Sequence, residues 1–337
     1  MKRSERSESR GARSKHGFSL VGGLYYDFTC AVHNWRQSRQ KGLRDVRSEK
    51  TKDLLFVWVI LSLSLVGVAV FWVYVNWSSI FMAFENPNGG YWLGNFKIIF
   101  EELKVSGSQI SESLRNTMIF FFVGFFISMP LNYLFSYFIY KKIAGVKFFR
   151  VVFFLPAIVS AVVLTSFFKF MLYPDGPIPP VWVSLFGGES PIFFANSSYA
   201  LPTIVVFSIW AGLGPGFLMN VAAMSRIPSD VLEYAQIDGV SHWQEFTKII
   251  FPLIWPFISM NIFMGLTGIL GASGPVLLFT NGNYGTMTLS HWLYLKTIGG
   301  ASYLPQAAAL GLMMTLVNLP FAIGFRALAD RVEPVEY

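Results

Sequence analysis

Six stretches of the chain are apolar over the length of a membrane-spanning helix. They are Leu54–Val75, Thr117–Tyr140, Val151–Leu172, Tyr199–Met224, Phe251–Leu270 and Tyr303–Gly324. A hydrocarbon core about 30 Å thick needs roughly 20 such residues of helix, so each stretch predicts one crossing. The fourth and fifth contain Gly and Pro, which a membrane helix tolerates where its neighbours satisfy the freed backbone groups. The first does not read as a cleaved signal, because it starts late, is long and is not followed directly by a small-residue cleavage site. The pattern predicts an all-α polytopic membrane protein with six transmembrane helices. It divides the chain into a tail (1–52), the first helix with an external loop (53–112), a core (113–327) and a C-terminal tail (328–337).

Composition narrows the class. Charged residues are only 13% of the 337 and aromatics 17%, whereas a soluble domain carries charge at about 25% of positions. Position matters more than the formal net charge of +7. Of 26 Lys and Arg, 13 precede residue 53. Lys141, Lys142, Lys147 and Arg150 follow the second stretch, Arg226 and Lys248 flank the fourth-to-fifth connection, and Arg326 and Arg331 follow the sixth. The loop from Tyr173 to Ser198 has no Lys or Arg. Positive-inside asymmetry therefore puts both termini in the cytoplasm. The tail has no aromatic-interleaved nucleic-acid motif, so membrane lipid is its expected contact and nucleic acid is not. Leu24, Phe28, Val32 and Trp35 recur in it at helical spacing, which suggests an interfacial amphipathic helix. A single cysteine, Cys30, allows no internal disulfide. Scattered histidines leave no metal motif, and no GxxxxGK[ST] loop is present.

The connection between the fourth and fifth stretches reads RIPSDVLEYAQIDGVSHWQEFTKIIFP. Asp230 with Glu233 three residues on has the spacing of a capping box with an Asp cap, and Ser241 with Gln244 has the standard form. Asp238-Gly239 between them marks a stop and turn, with Gly239 suited to positive φ. Two short helices joined by a tight bend would make a knob that a soluble partner can grip.

These residues resemble the EAA loop of the permease subunits of bacterial ABC importers, a pattern of EAA, three residues, G, nine residues, I, one residue, LP. Glu233, Ala235, Gly239, Ile249 and Pro252 stand in register, with Asp238 before the glycine. Tyr234 and Phe251 depart from it, where the pattern has Ala and Leu. Weaker likenesses point to the carbohydrate-import branch with maltose-type permeases: SLRNTMIF, FFRVVFFLPAIVSAVV, and Phe279–Tyr294, which is similar to a TxGGPxxxT segment with Asn283 and Tyr284 replacing the second Gly and the Pro. The resemblance implies a type I importer permease fold and a pore-forming rather than enzymatic role. It implies a second permease, a cytoplasmic ATPase dimer gripping residues 226–252, an extracytoplasmic binding protein and a carbohydrate substrate. ATP and Mg belong in that picture to the ATPase; this chain carries no cofactor. Glu233 has two open roles, capping alone or capping plus an ionic contact to the ATPase.

A path for substrate is expected near mid-membrane, where helices break. The candidates are Ala211–Gly216 and Gly268–Pro275, whose unwound backbone would line one cavity. Ser208, Trp210, Gly212, Asn220, Asn261, Thr267 and Ser273 could supply hydrogen bonds and a stacking face to a sugar. Two bland roles compete: Gly212 with Gly216 forms GxxxG, a helix-packing pattern, and Asn220 could pair with a neighbouring helix. A self-sufficient secondary transporter, or an importer permease for a non-sugar solute, is the alternative; scarce intramembrane carboxylates weigh against the former.

Overall fold

The computed structural model describes residues 32, 54, 56–86, 89–143 and 145–331. The expected tail helix lies outside these residues apart from Val32, which is helical. The chain forms two units, the first ending at Asn76 and the second starting at Trp77. Helix α1, Phe56–Ala83, is long and apolar enough to cross a bilayer. In the first unit nearly all its side chains are exposed, whatever their direction, as suits a helix solvated by lipid.

Among the described residues of the second unit, the regular secondary structure is helix, apart from one isolated bridge, Glu85 with Tyr91. After the short α2 (Gly94–Lys104) comes α3, Gln109–Tyr140. The bent pair α4 (Val146–Ile158) and α5 (Ala161–Leu172) follows, then α6 (Ile178–Phe186). Helix α7 is Ala200–Met224, α8 is Ser229–Ile237 and α9 is His242–Leu253. The remainder is α10 (Trp255–Thr267), the short α11 (Val276–Phe279), α12 (Leu289–Ile298) and α13 (Leu304–Ala329). Helices α1, α3 and α13 are straight candidate spans. The pairs α4/α5, the two halves of α7, and α9/α10 make three more if each counts as one crossing, which gives the expected six.

Proline accounts for much of the irregularity. Helices α4 and α5 diverge by 116°, just past Pro156. Helices α9 and α10 diverge by 77° at Ile254, where Pro256 has no N–H to offer the Pro252 carbonyl. Pro130 and Pro252 likewise follow π-helical turns, Gly124–Ser128 and Glu245–Ile250, where the ladder widens past a missing donor. The expectation of unwound backbone in Ala211–Gly216 is corrected here: α7 stays helical through it and bends by 41°. The second expected break is real. Residues Ile269–Gly271 form one 3-10 turn, and the backbone is non-helical from Ala272 to Pro275.

Candidate functional site

Two features of the second unit bring candidate residues together. The first is the knob between α7 and α10. Helix α8 ends in a Schellman motif: Gly239 N–H donates to the Gln236 carbonyl at 3.1 Å, and Val240 N–H to the Ala235 carbonyl at 3.1 Å. Gly239 holds φ +71°, as its place in the turn requires. The capping box at Ser241 is formed, with Gln244 N–H donating to Ser241 Oγ and Ser241 N–H to Gln244 Oε1. The one proposed at Asp230 is not. Helix α8 begins two residues earlier than that cap requires, with Pro228 at the cap and no side-chain cap bond, so Asp230 lies inside the first turn. There its charge complements the positive end of the helix dipole.

One face of this knob is anchored. Leu232, Phe246, Ile250 and Ile254 are buried with Tyr133, Tyr137 and Met224 of α3 and α7. Ala235 is buried, and Ile249 and Pro252 are half-buried on the way into the membrane helix. Glu245, which sequence reasoning passed over, is the most buried charge here. Its carboxylate lies 2.8 Å from Lys141 Nζ at the end of α3, with side-chain exposures of 3% and 14%. Tyr137 OH meets His242 Nδ1 at 3.4 Å one turn away. Four charged or polar groups thus tie α9 to α3. The other face is bare: Tyr234, Ile237 and Trp243 are 69%, 80% and 64% exposed, and Glu233 and Asp238 are exposed beside them.

The second feature is a cavity of about 320 Å³ between α3, α7 and α10. It is lined by Gly124, Ser128, Met129, Asn132 and Tyr133, by Gly212, Gly216, Met219 and Asn220, and by Phe257 and Asn261. Asn132 organises its wall. Its Nδ2 donates to the carbonyls of Gly212 at 3.3 Å and Leu213 at 3.1 Å, at the bend of α7. A side chain of α3 thus gives the backbone carbonyls at this bend an added donor in a low-dielectric setting. Asn132 Oδ1 accepts from Asn220 Nδ2 at 2.8 Å, and Asn220 Nδ2 also reaches Ser136 Oγ at 3.2 Å. Asn261 Nδ2 donates to Tyr133 OH at 2.9 Å. Asn220 is therefore both a cavity wall and a helix-pairing group.

The remaining candidates sit elsewhere. Trp210 packs on the cluster around Ile204 and Phe279, and Ser208 Oγ is held by the Ile204 carbonyl at 2.8 Å. Thr267 bonds the Met264 carbonyl at 2.7 Å, and Ser273 pairs with Thr288 at 2.9 Å. No residue of Gly271–Pro275 lines the cavity that holds Gly212 and Gly216. Asn132 and Tyr133 were missed because one Asn and one Tyr in an apolar run carry no periodicity of their own. The run LNYLFSY does place Asn132 and Ser136 four apart, on one helix face. Outside the cavity, the Thr280–Thr288 turn is held to α3 by Asn116 Nδ2, which donates to the Gly285 and Met287 carbonyls at 2.9 and 2.8 Å. Thr117 Oγ1 accepts from Leu289 N–H at 2.9 Å.

Residues 142–334 match the family described as the binding-protein-dependent transport system inner membrane component. The chain belongs to that family. This permease is 27% identical over 256 residues to the probable ABC transporter permease protein YesP of Bacillus subtilis (strain 168), covering 72% of this chain and 80% of YesP. It is 27% identical over 245 residues to MsmF of Streptococcus mutans serotype c, a multiple sugar-binding transport system permease protein, covering 69% of this chain and 80% of MsmF. A chain of the bacterial alginate ABC transporter, solved in complex with an alginate pentasaccharide-bound periplasmic protein, shares the fold. The TM-score is 0.71 at 22% identity, over 83% of this permease and 97% of that chain. The fold is that of a type I importer permease, and the chain is a pore component rather than an enzyme.

Proposed function

We propose that this permease forms one half of the pore of an ATP-driven importer that takes a carbohydrate from an extracytoplasmic binding protein. The other half is a second, related permease. Two cytoplasmic ATPase subunits, using Mg and ATP, grip the knob of residues 226–252, and both termini lie on their side of the membrane. The observation that carries the coupling role is the apolar tip: Tyr234 and Ile237 are exposed on α8, outside the candidate spans, and Trp243 is exposed beside them at the first turn of α9. Clustered exposed apolar side chains mark a protein contact, and Glu233 and Asp238 at their edge give it polar register. The substrate class is supported by the printed role of MsmF and by the pentasaccharide complex of the alginate transporter. It is also supported by the cavity, whose Asn, Tyr and Ser groups suit hydroxyls while Met129, Met219 and Phe257 suit an apolar ring face.

The test is reconstitution of this chain with its second permease, ATPase and binding protein. Hydrolysis stimulated by the sugar-loaded binding protein, together with sugar uptake, is the expected result. Tyr234→Ser, Ile237→Ser and Trp243→Ser combined should abolish ATPase co-purification while the chain still inserts. Normal co-purification and stimulated hydrolysis by that variant would reject the coupling role of the tip.

A further inference from the structure

An apolar groove of about 280 Å³ opens where α3 meets α4, away from the polar cavity. Phe135, Phe138 and Ile139 of α3 face Val146, Phe149 and Phe153 of α4 across it. The loop that closes its end is tightly specified. Lys142 at φ +52° occupies the left-handed position that ends α3, where glycine is usual, and Gly145 at φ +85° starts α4. Three cations lie near that end in sequence: Lys142 in the loop, and Lys147 and Arg150, each following a groove-lining residue of α4, Val146 and Phe149. All three are exposed, and none makes an ion pair among the described residues. No carboxylate is near in sequence either, since the chain has no Asp or Glu between Glu112 and Asp175. Glu245, the acid that reaches this region from α9, is already held by Lys141. An acyl-sized groove of hydrocarbon and aromatic surface is thus flanked in sequence by three exposed cations without an ion pair. It lies on the side of the membrane where the knob sits.

We propose that this groove binds one anionic glycerophospholipid of the knob-side leaflet, its acyl chain along the Phe and Ile side chains and its phosphate among Lys142, Lys147 and Arg150. The division of surface matches the division of the ligand. A zwitterionic lipid such as phosphatidylcholine would fill the groove equally well and carries the same phosphate, but its choline cation cancels that charge and is repelled by the three cations. An anionic head group adds attraction from each of them at the depth where an interfacial phosphate lies. The site is distinct from the translocation cavity and from the exposed tip of the knob. Through the neighbouring Lys141–Glu245 pair, a lipid held here would bear on the end of α3 that anchors the knob.

The full-length chain, delipidated in detergent and titrated with phosphatidylglycerol or phosphatidylcholine, tests this by native mass spectrometry. Retention of one phosphatidylglycerol at about tenfold preference is expected. Lys142→Gln, Lys147→Gln and Arg150→Gln combined should bring the preference within about twofold. Lys97→Gln, Lys104→Gln and Arg115→Gln combined remove the same charge from other elements and should leave it intact. Val146→Trp should weaken both lipids together by filling the groove. If the first triple variant fails to insert, its single variants should each lose about twofold. Equal retention of the two lipids by the wild type overturns the proposal. So does an equal loss in both triple variants, which would make the effect one of net charge. Retention that vanishes when the chain is assembled with its second permease also overturns it, and gives the groove to a protein interface.

Discussion

Three glycines within five residues of α7 have different tasks, although GxxxG in the sequence treats two of them as a pair. A Cβ on Gly212 would meet nothing within 4 Å, and the residue is exposed on the cavity wall. A Cβ on Gly214 would lie 2.5 Å from the Phe153 carbonyl oxygen of α4, and one on Gly216 would lie 2.8 Å from Asn132 Nδ2. Close packing of α7 therefore rests on Gly214, outside the pattern, and Gly212 is the open position. Gly212→Leu should cut uptake severalfold with assembly and melting temperature little changed. Gly214→Leu should do the reverse, destabilising the chain by about 1–3 kcal/mol through overpacking against backbone. Uptake and thermal unfolding measured in one preparation check both, and loss of assembly in step with uptake for Gly212→Leu would remove it from the path. Gly239 is a case of conformation rather than space, since nothing lies within 4 Å of its Cβ position but φ is +71°. Gly239→Ala should cost about 1–2 kcal/mol, and Gly239→Asn less, because Asn visits the left-handed region more readily. If the two variants melt alike, the backbone explanation fails. Gly239→Asp should combine that strain with a charge at the bend and reduce ATPase co-purification.

Between elements, the link that matters most joins α9 to α3. Lys141 and Glu245 are buried at 2.8 Å, and along α3 the same helix carries Tyr133, Asn132 and Ser136 into the cavity wall and its polar network. On the proposed coupling, a movement of the knob would reach the cavity through this helix. Glu245→Gln leaves a buried lysine without its counter-ion, which should destabilise by about 3–5 kcal/mol. Lys141→Met with Glu245→Met should recover much of that stability, since an apolar pair of similar length carries no desolvation cost. If the pair also transmits the ATPase stroke, the double variant will be stable yet poorly stimulated by loaded binding protein. A stable, fully stimulated double variant would reduce the pair to a structural tie. The ends of such elements were readable where local chemistry sets them, as at Ser241 and Gly239. The approximate spans were readable from run length alone. The 116° turn between Ile158 and Ala161 was not, because Pro156 and Ser160 are too few to interrupt the apolar run and hydropathy is blind to direction. The Lys141–Glu245 contact and the cavity wall were illegible for a related reason. They join residues far apart in sequence, and a single Asn or Glu in an apolar helix announces no partner.

At the scale of the whole molecule, the proposed function separates the path from what drives it. The cavity offers polar groups but no charge: its lining has no Asp, Glu, Lys, Arg or His. An ion-coupled carrier places titratable or ion-ligating groups where substrate binds, so that one binding event changes the affinity for the other. Among the described residues, the one buried carboxylate paired with a lysine is Glu245, and it lies at the knob rather than in the cavity. The sequence contains no phosphate-binding loop with which the chain could use ATP. The proposed function assigns the free energy of accumulation to a separate subunit, acting through the exposed tip. The chain alone in liposomes, given a proton or sodium gradient and a candidate sugar, should show no concentrative uptake. Addition of the second permease, the ATPase, ATP with Mg and the loaded binding protein should produce it, and omission of any one should abolish it. Gradient-driven accumulation by the isolated chain would overturn the proposed division of labour. Such a result would also require the asparagines and tyrosine of the cavity to bind the coupling ion directly, which Asn132→Leu, with its network to Asn220 broken, would then test.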